Sequence, residues 1–171
     1  NVEFREGDID NMPISNDIAD VIVSNCVLNL VPDKQKVIKE IHRVLKPGGH
    51  FSISDIVLVG SLPDALKQDA EMYAGCVAGA IQKTDYLKHI SNAGFSSVKI
   101  QKEKPISIPD YILSRYLDDD AIKTFNSDSI GIFSITVYAE KPGIKNEKPK
   151  IKLTELQDDI DSCCTPKSGC C

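Results

Sequence analysis

Residues 20–35 read DVIVSNCVLNLVPDKQ, and the fold turns on how that run is divided. Val21, Ile22 and Val23 are consecutive β-branched residues, the composition of a strand. Pro32 and Asp33 carry the chemistry of a helix start. Between them stand Ser24, Asn25 and Cys26, two polar side chains and a thiol at the end of the strand. The unbroken apolar run around them predicts a parallel strand covered on both faces.

Working outward, Val37, Ile38, Ile41, Val44 and Leu45 fall at i, i+1, i+4, i+7 and i+8, one apolar face of a helix. Asp33 suits its first turn and Pro47-Gly48-Gly49 is expected to stop it. A second apolar strand, HFSISDIVLV, follows at once, so strand, helix and strand make a βαβ unit. LPDALKQDAEMYAGCVAG reads as a helix with Leu66, Ala70, Tyr73 and Val77 on one side and Cys76 bordering it. Gly75 and Gly79 there permit close approach by another group. TDYLKHISNAGF is a short helix, with Thr84 as N-cap and Gly94 as stop. SVKIQKEKPISI and SIGIFSITVYAEKP read as strands flanking a helical DYILSRYLDDDAIKTF.

The chain has 171 residues, enough for one domain with a sizeable core, placed at residues 1–141. Residues 142–171 are polar and proline-interrupted, and are expected to be a flexible, cysteine-rich tail. A formal net charge of −5 without a basic cluster argues against a nucleic-acid partner. No apolar run is long enough to span a membrane as a helix. The chain opens at Asn1 inside a strand-like VEFREGD, which reads as a fragment of a longer polypeptide. Four of the six cysteines, Cys163, Cys164, Cys170 and Cys171, crowd the tail. An α/β pattern with no visible signal peptide favours a reducing, cytoplasmic setting and free thiols.

VLKPGG running into HFSISDI, preceded by Gly7-Asp8-Ile9, resembles the second half of a class I, S-adenosylmethionine-dependent methyltransferase. SNCVLNLVPDK is narrower and resembles the arsenite methyltransferases, in which this cysteine is an arsenic ligand. YAGCVAGA is similar to that family's second cysteine motif, fifty residues on. The resemblance covers about residues 2–141. It implies a Rossmann-like α/β sheet with helices on its faces, here partial, without the N-terminal strands, glycine-rich cofactor loop and ribose-binding acid that precede this region in the family. It implies Cys26 and Cys76 as catalytic arsenic ligands, and Asp8 and Ile9 as contacts for the cofactor's adenine. It also implies that the chain alone is inactive and binds S-adenosylmethionine weakly or not at all. Asn25 and Asn29 stand where they would orient the loop.

Trivalent arsenic is thiophilic and thiolates are its natural ligands. Arsenic so held keeps a lone pair that attacks a sulfonium methyl with no general base. The expected substrate is arsenite or thiol-bound trivalent arsenic, with small-molecule thiols as accessory partners. Taken singly, the residues leave other readings open. Cys26 and Cys76 suit packing positions as well, and Asp8 suits a turn. The vicinal tail cysteines suit either metalloid capture or no role, and His42, His50 and His89 read as structural or solvated. The alternatives are a methyltransferase for an organic small molecule and a thiol-rich arsenic- or metal-binding module. Loss of a neighbour would leave the strand at 20–25 as an exposed apolar edge, which predicts a homodimer or strand swap.

Overall fold

The run at the heart of the sequence divides as Ala19–Asn25, strand β1, then a 3₁₀ turn at Leu28–Leu30, then helix α1 at Lys34–Val44. The computed structural model describes residues 1–61, 77, 79–106, 109–120, 122–123 and 131–143. The expected helix around Leu66–Val77 lies outside the described residues apart from Val77, as do Cys76, the four tail cysteines and nearly all of the tail. Asp33 is the N-cap of α1, its carboxylate accepting the Lys36 backbone N–H at 2.9 Å. The apolar stripe is buried as its spacing requires: Val37, Ile38, Ile41, Val44 and Leu45 are all at most 3% exposed.

The helix ends earlier than Pro47-Gly48-Gly49 would stop it, because Leu45 is already extended and pairs with Ala19. Strand β2, Leu45–Val59, then leaves register between Ala19 and Val21, and His50 pairs with Val21. Gly48 adopts φ +84° in that irregular stretch, donating its N–H to the Lys141 carbonyl at 2.9 Å. The glycine pair thus shapes a bulge at the strand's start instead of a helix terminus.

Helix α2, Lys83–Asn92, leads through Gly94 at φ +94° into strand β3, Ser96–Ile106. Gln82 is its N-cap, without a side-chain bond to the helix, and Thr84 lies inside the first turn. Helix α3, Asp110–Leu113, and strand β4, Gly131–Glu140, complete the described elements, with helical residues again at 119, 120, 122 and 123. The sheet runs β1-β2-β4-β3: β1 is parallel to β2, while β4 is antiparallel to both β2 and β3.

One face of the sheet carries Phe51, Ile53, Val57, Ile135, Val137 and Ala139 against α1 and α2. The opposite face carries Ile56, Leu58 and Ile132 against Val77, Ile112, Leu113 and Ile122. Helical segments therefore lie on both faces, as the α/β reading expects. Two further expectations fail. Residues 1–8 form no strand, and Val2 and Phe4 are 78% and 94% exposed, because no described strand offers them a ladder. β1 is not covered on both faces either, with Val23 75% exposed, although it does lie at an edge of the sheet as the loss of a neighbour predicts. The strands covered on both faces among the described residues are β2 and β4.

Candidate functional site

The parallel β1–β2 ladder ends on its carboxyl side at Cys26, and the carboxyl side of parallel strands is where α/β sheets bind ligands. The Cys26 N–H donates to the Ser54 carbonyl at 2.8 Å, extending the β1–β2 ladder by one residue. The backbone then turns sharply, with Cys26 at φ +56°. A left-handed conformation costs a non-glycine residue about 1–2 kcal/mol, and such strain concentrates at functional positions. The thiol is partly buried beside the cluster that holds Val77 and Ala80.

That cluster joins the two cysteine motifs. Val77 is 8% exposed and immediately follows Cys76 in the chain. Two residues later, Gly79 rests directly on the Asn29 carbonyl: a Cβ there would overlap the carbonyl oxygen and lie 2.8 Å from its carbon. The close approach that Gly79 permits is therefore made, and its partner is the turn that follows Cys26. The position of the Cys76 side chain itself lies outside the described residues.

Asn29 is 4% exposed and donates its Nδ2 hydrogen to the Ile56 carbonyl at 3.1 Å, which pins the 3₁₀ turn onto β2. Beneath it lies Asp55, a residue the sequence reading passed over. The signal was present, since an aspartate inside FSISDIVLV interrupts an apolar strand. The Tyr86 hydroxyl donates to Asp55 Oδ2 at 2.9 Å. Burial pushes the Asp55 carboxyl up to about 6, against the opposing pull of the Tyr86 hydroxyl, the Lys34 ammonium and the Asn29 backbone N–H. Burial also lowers the pKa of Lys34, whose ammonium donates to the Val31 carbonyl at 3.0 Å.

An apolar groove of about 260 Å³ runs beside the same edge, lined by Ile9, Met12, Ile22, Val23, Val27 and neighbouring side chains. The segment bearing Ile9 and Met12 is strapped to α1. Glu40 accepts the Met12 N–H at 2.8 Å, and Lys36 pairs with Asp10 at 2.9 Å. Ser24 and Val27, which flank Cys26, also line the groove. The structure thus brings Ile9 close to the thiol loop, while Asp8 is solvent-exposed beside it. An apolar slot of this kind suits one face of a flat heteroaromatic ring such as adenine. Asn25 is exposed, so of the two candidate orienting asparagines only Asn29 is built into the site.

His42 lies edge-on to Phe95 at 5.0 Å, His50 packs against Tyr138, and His89 stands in the last turn of α2. No group of three or more His, Cys, Asp or Glu side chains among the described residues is placed to hold a metal ion. No helix among them is long and apolar enough to cross a membrane.

Comparison with known proteins identifies the family and the fold. The family described as a methyltransferase domain matches residues 1–94. The arsenite methyltransferase of Halobacterium salinarum is 38% identical over 144 residues, 83% of this chain and 34% of the relative. That of Aquipseudomonas alcaligenes is 40% identical over 122 residues, 70% of this chain and 35% of the relative. The chain therefore spans about a third of the length of these curated relatives. Among solved structures, the arsenic(III) S-adenosylmethionine methyltransferase of Chlamydomonas reinhardtii superposes with a TM-score of 0.62 at 27% identity, covering 80% of this chain and 43% of that one. Fold, edge and family match agree, and the chain belongs to the methyltransferase-domain family, with the Rossmann-like sheet of a class I enzyme.

Proposed function

We propose that this chain is the arsenic-holding part of an arsenite methyltransferase, in which Cys26 and Cys76 present trivalent arsenic to S-adenosylmethionine. The observation that carries the reading is the seating of Gly79 on the Asn29 carbonyl, which ties the second cysteine motif to the turn after the first. The strained backbone at Cys26 and the arsenite-methylating relatives support it.

In this reading Cys26 binds as thiolate, and the thiol's proton leaves with the arsenic-bound hydroxide as water. Arsenic keeps its lone pair when held by thiolates. S-adenosylmethionine, when bound, supplies an electrophilic methyl group on its sulfonium. The work of this chain is placement: Ile9 and the apolar groove would hold the adenine end, with Asp8 accepting from its amino group. The turn at residues 26–30 would hold arsenic in line with the methyl. Orientation of this sort contributes up to roughly 7–11 kcal/mol in favourable cases. Thiolate chemistry of this kind calls for a reducing compartment, such as the cytoplasm, and for small-molecule thiols as arsenic carriers.

Titrating the fully reduced chain with trivalent arsenic tests the reading. Cys26→Ser is expected to weaken binding by more than roughly 100-fold, since even indirect supports of a site are worth 10–100-fold. The chain without residues 162–171 should bind as the whole chain does. Binding untouched by Cys26→Ser, but lost with the tail, would move the arsenic ligands to Cys163, Cys164, Cys170 and Cys171 and sink the reading.

The β1 edge carries a further expectation. Val21 and Val23 are 49% and 75% exposed on a strand with one unpaired side, the arrangement that recruits another strand. The isolated chain is expected to run as a homodimer or strand-swapped oligomer in light scattering, and a monomer at all concentrations would refute this.

A further inference from the structure

Asp55 stands one residue past Ser54, the last partner of β1, on the sheet face covered by α1 and α2. At 1% exposure it is an expensive carboxyl, and a hydrophobic residue would fill the space at less cost. Four elements close on it. α2 supplies the Tyr86 hydroxyl, and α1 supplies the Lys34 ammonium, itself 6% exposed. The 3₁₀ turn supplies Asn29, and β4 supplies the uncharged cross-strand neighbour Ile135. Oδ1 of Asp55 and Oδ1 of Asn29 are both buried and accept no well-formed hydrogen bond from any described residue. Buried acceptors left this way favour a fixed, electrically sensitive arrangement over a merely well-packed one.

Asn29 links this carboxyl to the reactive edge. Its Nδ2 is tied to β2, its carbonyl lies under Gly79, and three residues before it stands Cys26. We propose that Asp55, gripped by Tyr86, is a positioning residue for the Cys26 thiol, acting through Asn29 to set where the turn at 26–30 sits over the sheet edge. The inference rests on the reading of Cys26 as the arsenic-binding thiol. An ionised Asp55 draws the Asn29 backbone N–H and the Lys34 ammonium toward β2, whereas the protonated acid releases them. Because burial places this titration near pH 6, the turn and the thiol it carries change their set across that range.

The test needs no arsenic, so its failure is distinct from failure of the arsenic reading. Cys26 in the reduced 171-residue chain is labelled with a maleimide between pH 5 and 8, and its rate is followed at the level of its own peptide by mass spectrometry. A thiol titrating alone gives a straight rise of log rate with pH below its pKa. The wild-type profile is expected to show an added step of roughly threefold or more near pH 6, from the change of charge beneath the turn. Asp55→Asn removes the step. Tyr86→Phe, which deletes a hydrogen bond that lowers the carboxyl's pKa, moves the step to higher pH, with circular dichroism confirming that both variants are folded. A straight wild-type profile, or a step that survives Asp55→Asn, overturns the proposal.

Discussion

Gly79→Ala will unseat the segment after Cys76 from the turn after Cys26, at a stability loss of about 3 kcal/mol or more. The number comes from the nature of the obstacle. The added methyl meets the carbonyl of Asn29, which is backbone, and not the yielding end of a side chain. That carbonyl belongs to a turn fastened to β2 through Asn29 Nδ2 and to the ladder through the Cys26 N–H. Relief therefore requires either breaking those bonds or lifting Val77 and Ala80 out of their apolar cluster. A denaturant titration monitored by circular dichroism would record the loss. Arsenic binding should fall in parallel, because the two cysteine motifs are held together at this contact. Gly75→Ala provides the contrast: if both alanines cost the same, the contact at Asn29 is not special.

Asp55→Asn should have the opposite sign above neutral pH. In an unfolded chain an aspartate titrates near 3.9, whereas Asp55 in the folded chain titrates at about 6. Between those values the unfolded state has released a proton that the folded state keeps. Rising pH therefore favours unfolding across that window, and the effect is complete above it. Two units of difference correspond to about 3 kcal/mol of stability forgone at pH 7.5. Asparagine has the same shape, still accepts from the Tyr86 hydroxyl and carries no charge. The variant is expected to be more stable than wild type by about 1–3 kcal/mol at pH 7.5, and nearly equal to it at pH 4. Glu40, whose pKa is lowered chiefly by Arg43, acts in the reverse direction as pH falls, so the comparison must be between variants at each pH. A difference between the two proteins that does not change with pH would mean the carboxylate is held without penalty.

The elements that were legible in the sequence are those whose periodicity is local. The stripe of α1 is read from residue spacing alone, and every member of it is buried. The four strands of the sheet were also readable. The edge position of β1 was expected, but the exposure of Val23 on its face was not, because an apolar strand covered on one face and one covered on both have the same composition. Residues 1–8 have the alternation of a strand but no described partner, and a strand exists only as one of a pair. In the candidate site, Cys26 and Gly79 were visible as a thiol at a strand end and a residue without a side chain. What joined them was not, since contact between residues fifty apart is a property of the folded sheet. Asp55 and Tyr86 were missed for the same reason: a buried carboxyl is recognised by what surrounds it, and Tyr86 stands on a helix thirty-one residues away.

The strand order β1-β2-β4-β3 has a consequence for how the chain is made. β4 lies between β2 and β3 although it is the last of the four to be synthesised. Until residues 131–140 leave the ribosome, β3 has no neighbour in the sheet, and one edge of β2 stays open. The βαβ unit of β1, α1 and β2 can gather early from nearby contacts, but the remainder must wait for a single late strand to close both gaps at once. A nascent chain paused before residue 131 should expose β3 to protease while α1 is already protected, and release of the pause should protect both strands in one step.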